Sequence, residues 1–241
     1  MPRYFYDEEF PEYVSVEERR RKAERAAAKL GNAAPIVING RRIANTFWGK
    51  SWCENLERYS DYANRLPRGR TYVRSGCVFD LQIQSGTVNA LVSGSRVYEV
   101  EVKVAPIPEQ RWKAVCHDCA GAIDSLVELL EGRFSAVTME RLCRQKTGLF
   151  PIPAEIKLKC SCPDSARMCK HVAAVLYGIG ARLDEKPELL FSLRNVDQGD
   201  LITNAGRSMT KPKTTRVLEA DNLSELFGID IVEPKRKRRS S

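Results

Sequence analysis

Read as a string of apolar and polar positions, the chain changes period several times. Residues 1–13 mix aromatics, acids and proline without a clear period. Glu17 to Leu30 reads as a charged, alanine-rich helix, exposed or lightly docked, that Gly31 ends. A linker with the apolar patch Ile36-Val37-Ile38 follows. A second helix begins at Phe47, where Trp48, Trp52 and Leu56 recur every four residues and mark a buried stripe. The period then drops to two. In CVFDLQIQ, Cys77, Phe79, Leu81 and Ile83 share one face, and Asp80, Gln82 and Gln84 take the other. In VYEVEVKV, Tyr98, Val100, Val102 and Val104 alternate with Glu99, Glu101 and Lys103. TVNALVS lies between, with turns at Ser85-Gly86 and Gly94-Ser95. Together with Thr71 to Arg74 these segments predict an antiparallel meander of three or four strands, covered on one face.

From Pro108 to Glu131 the spacing predicts one helix with the stripe Trp112, Val115, Cys116, Cys119, Ile123, Leu126, Val127 and Leu130, closed by Gly132. Ser135 caps a shorter helix running to about Lys146, and Gly148, Pro151 and Pro153 interrupt the chain again. Ile156, Leu158, Cys160 and Cys162 alternate as a strand. HVAAVLYGIGARL is a helix with Val172, Val175, Leu176 and Ile179 inward, and Pro187 to Leu193 forms one more short helix. Residues 203–222 read as a linker, and LSELFGIDIV as a short amphipathic segment before a basic end. No internal repeat is present. The expected fold is therefore α+β: an antiparallel β-meander packed on helices, occupying residues 46–202. An N-terminal helical arm and linker (1–45) and a flexible linker with a basic tail (203–241) flank it.

Composition narrows the class. Hydrophobic residues at 43% and charged residues at 29% suit a folded core. No apolar run approaches the length of a membrane span, and the charged, tyrosine-rich N-terminus is not that of a signal peptide, so no membrane partner is expected. The expected location is a reducing, cytoplasmic compartment: nucleoid-associated in a bacterium, nuclear in a eukaryote. Eight cysteines in that setting point to metal rather than to disulfides. The net charge of +8 suggests a polyanionic partner. Five of those charges belong to Lys235, Arg236, Lys237, Arg238 and Arg239, which leaves everything before the tail only mildly basic.

The clearest chemistry is Cys160-x-Cys162-x6-Cys169-x-His171, which gathers three of the eight cysteines and one of the two histidines. Three thiolates and one imidazole form a common tetrahedral set for structural zinc. Residues two apart on a strand face the same way, so Cys160 and Cys162 can aim at one ion. Two residues apart on a helix point about 200° apart. Cys169 must therefore precede the helix and His171 must lie in its first turn. The bound site carries about one net negative charge, which a helix N-terminus and the neighbours Lys157, Lys159 and Lys170 would offset.

CSCPDSARMCKH resembles the SWIM zinc finger, whose motif is C-x-C, a variable gap, then C-x-H; here the finger spans about residues 156–180. A wider resemblance runs through FWGKSW, GRTYVRSGCVFDLQI, VSGSRVYEVEV and GLFP to small bacterial SWIM-finger proteins. The resemblance implies one structural zinc held by Cys160, Cys162, Cys169 and His171 in a ββα finger built as a hairpin with a following helix. It also implies DNA or protein binding in association with Swi/Snf-type helicases.

Other features weigh less. Cys116-His117-Asp118-Cys119 contains a CxxC, readable as a redox pair or a second half-site. Both cysteines sit on the apolar stripe, where Cys acts as a small hydrophobe. Arg68, Arg70, Tyr72 and Arg74 read either as phosphate contacts with a stacking aromatic or as a solvated turn leading into a strand. Lys157, Lys159, Arg167 and Lys170 form a basic rim on the finger, and Lys235 to Arg239 would grip nucleic acid without sequence preference. No P-loop, GxGxxG or GxSxG motif is present, and a four-ligand zinc has no open position for water, so an enzyme is not expected. The function expected from the sequence is a zinc-binding accessory protein that contacts nucleic acid, DNA rather than RNA, beside a Swi/Snf-type helicase. The alternative is a protein–protein adaptor that touches no nucleic acid.

Overall fold

Side-chain hydroxyls open the first two helices. Ser15 Oγ accepts from the Glu18 amide at the start of α1 (Val16–Leu30), and Thr46 Oγ1 accepts from Gly49 at the start of α2 (Phe47–Glu57). Each satisfies an amide that no helical carbonyl can reach. The computed structural model describes residues 14–58, 65–164 and 166–203. The amphipathic LSELFGIDIV stretch and Lys235, Arg236, Lys237, Arg238 and Arg239 lie outside the described residues.

On α2 the expected stripe is buried: Trp48, Trp52 and Leu56 all face the core. Each indole also finds an acceptor, Trp48 Nε1 donating to the Leu129 carbonyl and Trp52 Nε1 to that of Leu176. The next segment departs from its expected form. Leu66–Arg74 is a helix, α3, not a turn leading into a strand. Its buried positions, Leu66, Gly69, Tyr72 and Val73, recur at helical spacing.

The sheet contains β1 (Val78–Gln84), β2 (Thr87–Ser93), β3 (Val97–Val104) and β4 (Ile156–Cys160), antiparallel in the order β1-β2-β3-β4. Alternation holds in β3, where Tyr98, Val100, Val102 and Val104 are buried. In β1 the register slips between Val78 and Asp80. The extra residue puts Val78 in phase with Leu81, and both approach Gly178. Phe79, expected on their face, instead lines a cleft with Ala23 and Ile38.

After β3 the expected single helix is two. α4 (Glu109–Asp118) stops at Cys119, Gly121 takes a left-handed φ of 72°, and Ser125 caps α5 (Leu126–Glu131). The break resets the phase: Leu129 is buried, whereas Leu126 and Val127 of the expected stripe are exposed. Ser135 opens α6 (Ala136–Cys143) as expected. α8 (Glu188–Leu193) and α9 (Gly199–Thr203) complete the chain described.

The centre of the fold is α7 (Lys170–Glu185), buried at every position from His171 to Ala181. The sheet covers one side, and α2 and α3 cover others. Such crowding requires small residues at the crossings. A Cβ at Gly69 of α3 would lie 2.5 Å from Ala173 Cβ and 2.7 Å from the Ala173 carbonyl carbon. α1 packs on β1 and β2 through buried Ala23. The fold is thus α+β, a four-stranded antiparallel sheet packed on helices. Among the described residues no helix is long and apolar enough to cross a membrane.

Candidate metal centre

The strand that delivers the first ligand is the last of the sheet. Cys160 closes β4 opposite Val100 of β3. Ser161 extends the pairing by one residue: its amide donates to the Glu99 carbonyl and its Oγ accepts from the Glu99 amide. The ββα unit is therefore assembled from β3, β4 and α7. Its second strand comes from the meander rather than from a hairpin inside the finger. Beyond Cys162, Asp164 Oδ1 accepts from the Ala166 amide and Asp164 Oδ2 pairs with Arg65 at 3.3 Å, turning the chain back. Cys169 then caps α7, its Sγ accepting from the Val172 amide at 3.5 Å. His171 is the second residue of the helix, where the angular argument placed it.

The ligand atoms of Cys160, Cys162, Cys169 and His171 all lie within 4.8 Å of one another. Cys160 Sγ and Cys169 Sγ are each 3.9 Å from His171 Nδ1. A tetrahedral zinc with sulfur at about 2.3 Å and nitrogen at about 2.0 Å spaces sulfur and nitrogen about 3.5 Å apart. The cluster has that size and that donor set, so it fits one structural zinc ion. Cys169 and His171 are buried and the other two half-buried. Four protein ligands would leave the ion no open position, so its role there is to bind the chain together.

A second layer holds the imidazole. Tyr98 of β3 stacks on it, ring centres 4.2 Å apart, and Tyr72 of α3 meets it edge-on at 5.4 Å. Gly94 makes room: a Cβ there would lie 2.7 Å from the Tyr98 ring and 3.2 Å from His171 Nε2. Tyr72 is fixed in turn by α1, because Arg19 Nη1 donates to its hydroxyl at 2.9 Å and Ser93 Oγ donates to the Arg19 carbonyl at 2.8 Å. Helix α1, expected from the sequence to be exposed or lightly docked, thus supports the metal site. Tyr98 and Gly94 carried no metal signal in the sequence beyond a strand residue and a turn glycine.

Hydrogen bonding among the three sulfurs favours the thiolate at Cys169 and the thiol at the other two. Cys169 is pulled down to about 3 by the hydrogen bond from Cys160, with further help from His171 and the Val172 amide. Cys160 is pushed up, first by donating to Cys169 and then by burial, and Cys162 is pushed up by burial. Zinc coordination by three thiolates must displace the retained protons, so roughly two leave at neutral pH and affinity falls as pH is lowered. Zinc titration by calorimetry in buffers of different ionisation enthalpy measures that number. Release of fewer than one proton would contradict this division of charge.

The other sequence candidates disperse. By strand alternation Lys157 and Lys159 project from the sheet face opposite Cys160, in register with Lys103 and Glu101. With Glu99 and Asp80 also on that outer face, acids offset the lysines there, and the two do not form a rim around the cluster. Lys170 lies 5.7 Å over the Tyr72 ring, and Arg167 is exposed. Tyr72 is only 7% exposed and occupied by Arg19 and His171, so it is not displayed to stack a base. Helix α3 also splits its arginines, with Arg70 and Arg74 one turn apart on one side and Arg68 about 200° from Arg70. Cys116 and Cys119 are buried, and burial raises the Cys119 thiol pKa. His117 next to them has an 85% exposed side chain.

Comparison with known proteins agrees with the geometry. The SWIM zinc finger family model matches residues 148–178. An uncharacterized protein of Mycobacterium tuberculosis is 35% identical over 165 residues, covering 67% of this chain and 59% of that protein. The chain therefore spans less than two thirds of that relative's length. No solved structure matches the chain.

Proposed function

We propose, on the premise that this chain carries a SWIM zinc finger, that it is a non-enzymatic accessory protein that binds nucleic acid, DNA in preference to RNA, beside a Swi/Snf-type helicase. One observation carries the reading. A cleft of about 390 Å³ at the side of α7 is lined by Arg41, Arg42, Lys50, Arg70 and Arg74. Its two acids are already engaged: Glu57 pairs with Arg70, and Glu54 with Lys50 at 3.7 Å. Arg41, Arg42 and Arg74 remain as a surplus of positive charge. Arg74 Nη2 donates to the Arg41 carbonyl at 2.6 Å, which fixes the lip of the cleft. The held Arg74 guanidinium, with exposed Arg41 and Arg42 beside it, suits phosphate oxygens, and such contacts position a duplex without reading its sequence.

Full-length, zinc-loaded protein titrated with labelled duplex DNA across a salt series tests the reading. Affinity is expected to fall steeply with salt, and the R42Q/R74Q double variant to reduce the log–log slope by about 2. Absence of binding to DNA or RNA at low salt would overturn it. The adaptor reading draws its support from a different surface. Leu126, Val127 and Val137 are 42%, 58% and 77% exposed on α5 and α6, and apolar groups so displayed suit a protein partner. Recovery of a stoichiometric partner protein together with no nucleic-acid affinity would favour it.

A further inference from the structure

A second basic cavity, of about 620 Å³, opens between α4, the end of α6 and the turn before β4. Arg111, Arg141, Arg144 and Lys146 line it, with Glu155 as its one acid. The ion pairs do not balance. Glu155 is shared by two guanidiniums: Arg111 bonds one carboxylate oxygen, and Arg194 lies 3.1 Å from the other. Arg194 is fully buried, so the trio holds one uncompensated positive charge out of water, a costly arrangement. Burial pushes Arg194 down to about 10; Glu155 opposes that shift and Arg111 adds to it. Arg111 Nε and Arg194 Nε are buried without a hydrogen-bond partner. Arg141 is balanced by Asp118 at 2.6 Å and Arg144 by Glu140 at 3.6 Å on the exposed rim, while Lys146 brings further charge there.

The donors are also held in place. Arg111 Nη1 donates to the Lys146 carbonyl and Arg141 Nη1 to the Thr147 carbonyl, each at 2.8 Å. Lys146 takes a left-handed φ of 62°, which bends the chain between them. Fixed guanidiniums, a charge surplus and a cavity within the range of small-molecule sites, about 300–1,000 Å³, call for a compact multivalent anion. The geometry points to a phosphate-binding site at Arg111, Arg141, Arg144 and Lys146 that takes a phosphomonoester dianion. Its source is either a small phosphorylated molecule or the 5′ end of a nucleic acid. The site is separate from the metal cluster and does not rest on the DNA-binding reading.

Thermal unfolding of full-length, zinc-loaded protein in inorganic phosphate, with sodium chloride at matched ionic strength as reference, tests it. Phosphate is expected to raise Tm saturably where chloride does not. The R144Q/K146N variant should raise the half-saturating phosphate concentration roughly tenfold. Both substitutions are exposed, and asparagine tolerates the left-handed backbone at 146. The R25Q/K29Q variant on α1 removes the same charge elsewhere and should respond like the parent. Oligonucleotides with and without a 5′-phosphate distinguish the sources. Extra stabilisation by the phosphorylated form assigns a nucleic-acid end, and equal response assigns a small phosphorylated ligand. No phosphate-specific shift, or the same loss of response in both double variants, would overturn the site.

Discussion

Cys162→Ser is expected to strip the protein of stoichiometric zinc, while Cys119→Ser keeps it. Serine at 162 replaces a thiolate donor by a neutral hydroxyl, so the loss of metal affinity should exceed the about 10–100-fold typical of outer-shell substitutions. The structural consequence should be local. α7 is buried from His171 to Ala181 by the sheet, α2 and α3, so most of that helix stays folded without metal. The turn from Cys162 to Cys169, which the metal would tie to β4 and α7, should instead become open to proteolysis. Cys119→Ser has the opposite profile. It places a hydroxyl at a fully buried site, which costs about 1–3 kcal/mol if the group finds no partner. Metal analysis with limited proteolysis separates the two. Equal zinc loss in both variants would move the site away from Cys162.

Gly69→Ala should destabilise the protein even though alanine is the better helix former. Relief of the glycine penalty in α3 is worth about 1 kcal/mol. Against it, the new Cβ would meet Ala173 at 2.5 and 2.7 Å, and one of those atoms is backbone in a helix packed on all sides. Overpacking of this kind costs up to about 3 kcal/mol, so sterics win by about 2 kcal/mol. That corresponds to a fall in Tm of about 4–8 °C for a protein of this size. Because α3 also carries Tyr72 against His171, zinc affinity should weaken in the same variant. Calorimetry and a zinc competition titration read the two effects, and a rise in Tm would show that α3 and α7 are not in such close contact.

What the sequence disclosed depended on how local the cause was. The ligand quartet, the α7 boundary at Cys169 and the alternation of β3 are set by residues a few positions apart, and they were legible. α3 was not: Gly69 interrupts its pattern, and Thr71, Tyr72 and Val73 favour strands, yet packing on α7 decides for helix. The break between α4 and α5 hid behind an apolar spacing that happened to continue in phase past Gly121. A single bulged residue in β1 moved Phe79 to a different neighbourhood, and alternation alone does not register such a slip. The shell around His171 was the least legible part. Tyr98, Tyr72, Gly94 and Arg19 reach it from three elements distant in sequence, and none has a metal-binding side chain that would mark it.

Native mass spectrometry of the purified full-length chain tests the metal centre most directly. One zinc ion per polypeptide is expected, retained in Cys119→Ser and absent in Cys162→Ser. A metal-free parent protein whose 160–171 segment nonetheless resists proteolysis would contradict it.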